Sequence, residues 1–140
     1  MSTMRSATTR LLGASAVIAL LVVGSSYAAA TLHYGGKTSQ KQRVTFTISG
    51  GSVKRLKFRI VDNCRRHRHL DVNDSGFPTL PIKHGTFGGT FTAKAPSVAK
   101  VSVSGHVYGR SVVGTLKDRT KSHKWHRFCS GKATFKLRAL

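Results

Sequence analysis

From Val44 onward, apolar and polar residues alternate along the chain with a period of two. Val44, Phe46 and Ile48 alternate with Thr45, Thr47 and Ser49, Gly50 and Gly51 follow, and Leu56, Phe58 and Ile60 then alternate with Arg55, Lys57 and Arg59. Successive side chains of a strand point to opposite faces, so the pattern predicts a β-hairpin with one apolar face and one basic or polar face. Val53 is out of phase with Leu56, which predicts a bulge near Lys54 and Arg55.

From Asn63 to Gly76 the apolar rhythm stops, and CRRHRHLDVNDSG reads as a long charged loop with room for a short strand at Leu70 to Val72. Phe77 to Ile82 contains Pro78 and Pro81, which suit an edge or connecting segment because proline cannot donate to a ladder. Thr86 to Ala93 has Phe87 and Phe91 in phase around a glycine pair. VAKVSVSGHVY and SVVGTLK flank Gly109 and Arg110, a glycine-first turn suited to a type II′ hairpin. A last strand, Lys132 to Ala139, points Ala133, Phe135, Leu137 and Ala139 one way and Thr134, Lys136 and Arg138 the other. No stretch after residue 30 sustains a helical period over three turns. The expectation is an all-β fold, an antiparallel β-sandwich or small barrel of about seven short strands.

The first 30 residues follow another pattern. Arg5 and Arg10 precede the apolar run Leu11 to Val23, and GSSYAAA then places Ala28 and Ala30 where a signal peptidase needs small side chains. This predicts a signal peptide over 1–30 cut after Ala30, with a cut after Ala28 as the alternative. The run of about 13 apolar residues is short of the roughly 20 needed to span a bilayer as a helix. An extended polar lead-in over 31–42 and a single β domain over 43–140 would follow, with no transmembrane segment after cleavage. The expected location is secreted or associated with the cell envelope.

Charge sharpens this picture. The 140 residues carry 24 Lys and Arg against four acids, Asp62, Asp71, Asp74 and Asp118, a net charge of +20. Removal of Arg5 and Arg10 leaves +18 on the exported domain. Such a field attracts polyanions with little regard to their sequence. The two cysteines, Cys64 and Cys129, form a disulfide in an oxidising compartment. That bond would tie the end of the second strand to the start of the last, making the first hairpin and the last strand neighbours.

GKTSQ at Gly36 to Gln40, GGSVKRLKFRI ending near Cys64, SGHVYGRSVVGTL and the closing CSGKATFKLRA occur in an order that resembles a group of small secreted β-rich proteins common in high-GC Gram-positive bacteria. The resemblance covers nearly the whole exported part. It implies secretion, the β fold and paired cysteines, and brings no activity, ligand or catalytic residue with it.

Several groups of residues carry candidate chemistry. Arg55, Lys57 and Arg59 must share one strand face if Leu56, Phe58 and Ile60 line the core, and Lys132, Lys136 and Arg138 do the same on the last strand. With Arg65, Arg66 and Arg68, and with Lys117, Arg119, Lys121, Lys124 and Arg127, they would give a positive surface for anionic polymers or an anionic membrane. A solvated, aggregation-resistant face is the alternative. His67 and His69, with His123 and His126, have spacings compatible with a weak copper or zinc site. The nearby cysteines could complete it only as thiols. Protonation of these histidines below about pH 6.5 would add charge and strengthen polyanion binding. DVNDSG at Asp71 to Gly76 begins like a calcium loop, but Ile82 stands where the bidentate glutamate belongs. No nucleophile elbow flags a serine, and a hydrolytic carboxylate pair would have to include Asp71 or Asp74. Trp125 between two histidines suits an anchoring side chain beside the disulfide. The reading is a non-enzymatic, cofactor-free basic domain that binds anionic envelope or extracellular polymers. A structural secreted protein with no specific ligand is the alternative.

Overall fold

The computed structural model describes residues 30–65, 67–73, 77–93, 98–122 and 127–140. The signal peptide expected over 1–30 therefore lies, but for Ala30, outside the described residues. Nine strands and no helix occur among them: β1 (Leu32–Lys37), β2 (Arg43–Ser49), β3 (Ser52–Cys64), β4 (His67–Asn73), β5 (Leu80–Pro81), β6 (Thr86–Ala93), β7 (Val98–Tyr108), β8 (Ser111–Ser122) and β9 (Arg127–Arg138). All pair antiparallel in one sheet ordered β1-β2-β3-β9-β8-β7-β6. Phe58 pairs with Val44 on one side and Asn73 on the other, so β4 lies along the edge of β3 opposite β2; β5 lies on that edge too, at Val53. The sheet curls into a half-barrel around its apolar face, where a sandwich would have required two facing sheets.

The alternation read from the sequence becomes the inside and outside of this curl. Val44, Phe46, Leu56, Phe58, Ile60, Val101, Val103, Leu116, Ala133, Phe135 and Leu137 are buried, and the residues between them face out. Phe46 stacks on Tyr34 at 4.9 Å, meets Phe135 edge-on at 6.0 Å and lies tilted against Phe87 at 6.4 Å. Room for these rings comes from one row of the sheet, in which Phe87, Gly105, Gly114 and Phe135 are successive cross-strand partners. The two glycines form a trough into which the flanking rings lean. A Cβ on Gly114 would collide with the Phe135 ring and sit 2.7 Å from the Ser104 carbonyl oxygen, which the backbone cannot relieve.

The expected bulge is present. Thr45 pairs with Lys57 and Thr47 with Lys54, so Arg55 and Leu56 together face Phe46, and Arg55 takes the left-handed conformation at φ 52°. The extra residue restores phase, which is why Val53 and Leu56 are both inside. The expected strand count was too low. The 31–42 lead-in contains β1, whose glycine pair hides its alternation, and the charged stretch after Cys64 contains β4, a full seven-residue partner of β3. Strands β8 and β9 also run further toward each other than their apolar residues suggested.

One edge of β9 is shared. At its start Asn63 of β3 pairs with Ser130, and the Cys64–Cys129 disulfide closes the next rung with its Cα atoms 4.4 Å apart. At its end β1 takes over through Tyr34 with Ala139 and Thr38 with Phe135. Between them the turn 38–42 supplies side chains in place of a strand. The Gln40 Nε2 donates to the carbonyls of Val61 (2.9 Å) and Lys132 (3.3 Å), and its Oε1 accepts from Val61 N–H (2.8 Å). Ser39 N–H donates to the Thr134 carbonyl at 2.7 Å, and Ser39 Oγ accepts from Thr134 N–H at 3.0 Å.

Replacing Gln40 by Ala strands the two half-buried backbone groups of Val61 and frees the exposed Lys132 carbonyl to water. It is expected to lower unfolding free energy by about 1–3 kcal/mol in urea titrations. Replacing both cysteines by Ala frees a loop spanning 65 positions. The expected loss, read the same way, is about 4 kcal/mol in the loop-entropy account.

Candidate anion-binding face

Because the inner face is apolar, every outward position on β7, β8 and β9 is free to be polar, and the chain fills those nearest the disulfide with cations. Lys100 on β7, Lys117, Arg119 and Lys121 on β8 and Lys132 on β9 lie on this outer face. The ladder sets them against one another. Lys100 is directly opposite Arg119, and Lys117 is directly opposite Lys132. A third such pair, Lys37 with Arg43, lies on β1 and β2. Opposed like charges on neighbouring strands destabilise a sheet by roughly 0.2–1 kcal/mol each.

No acid stands among the outward residues of β7, β8 and β9 to relieve them. Across β7, β8 and β9 the single acidic residue is Asp118, which is 3% exposed and accepts a 3.4 Å hydrogen bond from the Thr120 hydroxyl. Asp62 is also fully buried. Its carboxylate lies over Gly131, where a Cβ would collide with it, and Gly131 in turn pairs with Asp118. The two carboxylates thus flank one glycine on the inner side of the sheet while the cations occupy the outer side.

The cations surround a shallow depression. Lys100, Lys117, Arg119 and Lys132 line it together with Gln40, Gly131 and the buried Asp118, and Asn63, Ser102 and Ser130 offer neutral hydrogen-bonding groups between them. At its margin Phe128 is 54% exposed. The Arg119 guanidinium carbon lies 4.7 Å, and the Lys121 ammonium 5.7 Å, from its ring centroid. On the far side of the turn 38–42 a second depression is lined by Arg43, Lys57 and Arg59.

The basic residues singled out from the sequence are distributed over these features rather than gathered into one. Lys132 sits in the first depression. Arg68, on β4, is opposite Asn63 and so ends the row that runs from Lys100 through Arg119 and Ser130. Lys57 and Arg59 belong to the second depression, and Arg55 stands exposed at the bulge. Lys136 and Arg138 are exposed toward the other end of β9, opposite Val113 and Ser111. Arg65 is exposed in the turn after β3, and Arg66 lies outside the described residues. The same alternation that marked β3 would have marked Lys100 between Ala99 and Val101, and Lys37 with Arg43 needed the β1–β2 pairing to be seen.

The other candidates fare differently. His67 and His69 occupy register positions opposite Cys64 and Asp62, whereas His123, Lys124, Trp125 and His126 lie outside the described residues. Both cysteines are consumed in the disulfide, so neither is a thiolate ligand. Among the described residues no three His, Cys, Asp or Glu converge to hold a metal. Asp71 and Asn73 are strand residues paired with Ile60 and Phe58, so the first half of the calcium-like motif is extended ladder and not a coordinating loop. No helix among the described residues is long and apolar enough to cross a membrane. Neither a protein-family model nor a curated protein nor a solved structure matches this chain.

Proposed function

We propose that the protein is exported and acts as a non-enzymatic module that binds anionic polymers of the envelope or its surroundings through the outer face of β7, β8 and β9. The observation that carries this reading is the two pairs of directly opposed cations, Lys100 with Arg119 and Lys117 with Lys132, side by side on three strands whose outward residues include no acid. A face selected for solubility alone gains nothing from placing like charges on the same rung, since spreading them gives the same net charge without the repulsion. An anion seated between them converts the repulsion into attraction from both sides. Export is supported by the charged, apolar and small-residue order of residues 1–30, by the disulfide, which persists in oxidising compartments, and by the resemblance to small secreted β-rich proteins.

Heparin provides a defined polyanion for the test. Affinity is expected to fall steeply between about 50 and 200 mM salt. Substituting Lys100, Lys117, Arg119 and Lys132 by Ser or Thr should reduce the slope of log affinity against log salt by about 3–4, one unit for each lost contact. Removing the same number of charges at Arg55, Lys83, Lys136 and Arg138 should change it by less than about one. Equal losses from both sets would show that only bulk charge matters and would leave a structural protein with no specific ligand.

A further inference from the structure

The spacing of the cations narrows the class of polymer, an inference that itself rests on the anion-binding reading. The two opposed pairs on this face share one strand: Lys117 of β8 faces Lys132 of β9, and two residues further along β8 Arg119 faces Lys100 of β7. Lys121 takes the next outward position, where it lies with Arg119 against Phe128. Outward residues at i, i+2 and i+4 of a strand stand about 6.6–6.8 Å apart. Six covalent bonds set that repeat, three backbone bonds for each of two residues. A phosphodiester chain whose phosphates are bridged by oxygen, three carbons and oxygen also has six bonds from one phosphorus to the next. Its extended repeat is therefore about the same length.

We propose that the ligand is a linear polyphosphodiester of this three-carbon type, lying along β8 with successive phosphates over Lys117, Arg119 and Lys121, reached also by Lys132 from β9 and by Lys100 from β7. Each phosphate has two non-bridging oxygens that accept from separate donors, so an opposed pair of cations acts as a clamp, and the Arg119 guanidinium can engage it through two parallel hydrogen bonds. Ser102 and Ser130, beside the pairs, add hydroxyl donors. A polyuronate sets its carboxylates on stiff sugar rings at a different repeat and does not seat consecutive groups on consecutive rungs. Phe128 is a positioning residue. By holding Arg119 and Lys121 against its ring it orders two long side chains before the ligand arrives, which reduces the entropy lost on binding.

Oligo(glycerol phosphate), oligothymidylate and oligogalacturonate of equal charge number serve as probes at about 50 mM salt. The first two share the three-carbon phosphodiester and differ in source. Both are expected to bind about tenfold or more tightly than the uronate. Phe128→Leu, which removes no charge from an exposed position, should weaken both by about three- to tenfold while leaving the salt slope unchanged. Tight binding of oligothymidylate with weak binding of the glycerol chain, which has the same backbone repeat, would overturn the phosphodiester assignment and attribute binding to the nucleosides. Equal affinity for all three chains would overturn the phosphodiester assignment and leave the polyanion reading standing. Preference for phosphatidylglycerol vesicles over every soluble chain would overturn it in favour of a membrane surface. Failure of all probes to bind would overturn both. Unchanged affinity in Phe128→Leu would remove the positioning role.

Discussion

Strand β9 offers one edge to three claimants, β3 at its start, the Gln40 amide in its middle and β1 at its end. Everything on the other side of β9 inherits its register from that arrangement. A shift of one residue would turn Ala133, Phe135 and Leu137 to solvent and drive Lys132, Lys136 and Arg138 inward, because side chains alternate with a period of two. The disulfide fixes the first rung and Gln40 the next. Strand β8 is then aligned so that Lys117 meets Lys132, and β7 so that Lys100 meets Arg119. The cationic face is thus a product of how β9 is held.

A domain with 22 basic residues, the chain's 24 less Arg5 and Arg10, and four acids has to dispose of repulsion somewhere. Here the outward residues of β6 are Thr86, Gly88, Thr90 and Thr92, with Thr90 bonded to Ser102 on β7, so that strand carries no charge. Five of the cations, Lys100, Lys117, Arg119, Lys121 and Lys132, stand together on the outer side of β7, β8 and β9, with Asp62 and Asp118 buried beside Gly131 on the inner side. The chain therefore sets part of its charge close together where a wider spread was open to it. Concentration raises local potential and favours capture of an anionic chain, at the expense of stability in its absence.

Much of the fold was legible in the sequence because the alternation is strong where the core is. The hairpin of β2 and β3, the bulge at Arg55, the bounds of β6 and the Gly109 turn are all set by which residues are in phase. What was hidden has a common cause. In β1 only Tyr34 is buried, and Gly35 and Gly36 lie where apolar residues would have revealed the period. In β4 only Leu70 to Val72 suggested a short strand, and the ladder to β3 extends it to His67–Asn73. Gln40 looked like one more polar residue in a lead-in, since nothing local announces that an amide will substitute for a peptide between two distant strands. The basic stripes were visible strand by strand, but opposition is a property of pairs. Lys100, far from Arg119 along the chain, became part of the site only through the β7–β8 register.

Lys117 and Lys132, in this view, are placed for a ligand against the interest of the free fold. The stability of Lys117→Thr against the native protein, by urea unfolding at low and at high salt without any polyanion, tests this directly. Relief of the opposed pair should raise stability by about 0.2–1 kcal/mol at low salt, and the gain should vanish near 1 M salt, where screening acts within about 3 Å. A Lys117→Thr protein less stable than the native one at low salt would contradict that placement, because the opposed cations would then be serving the fold itself.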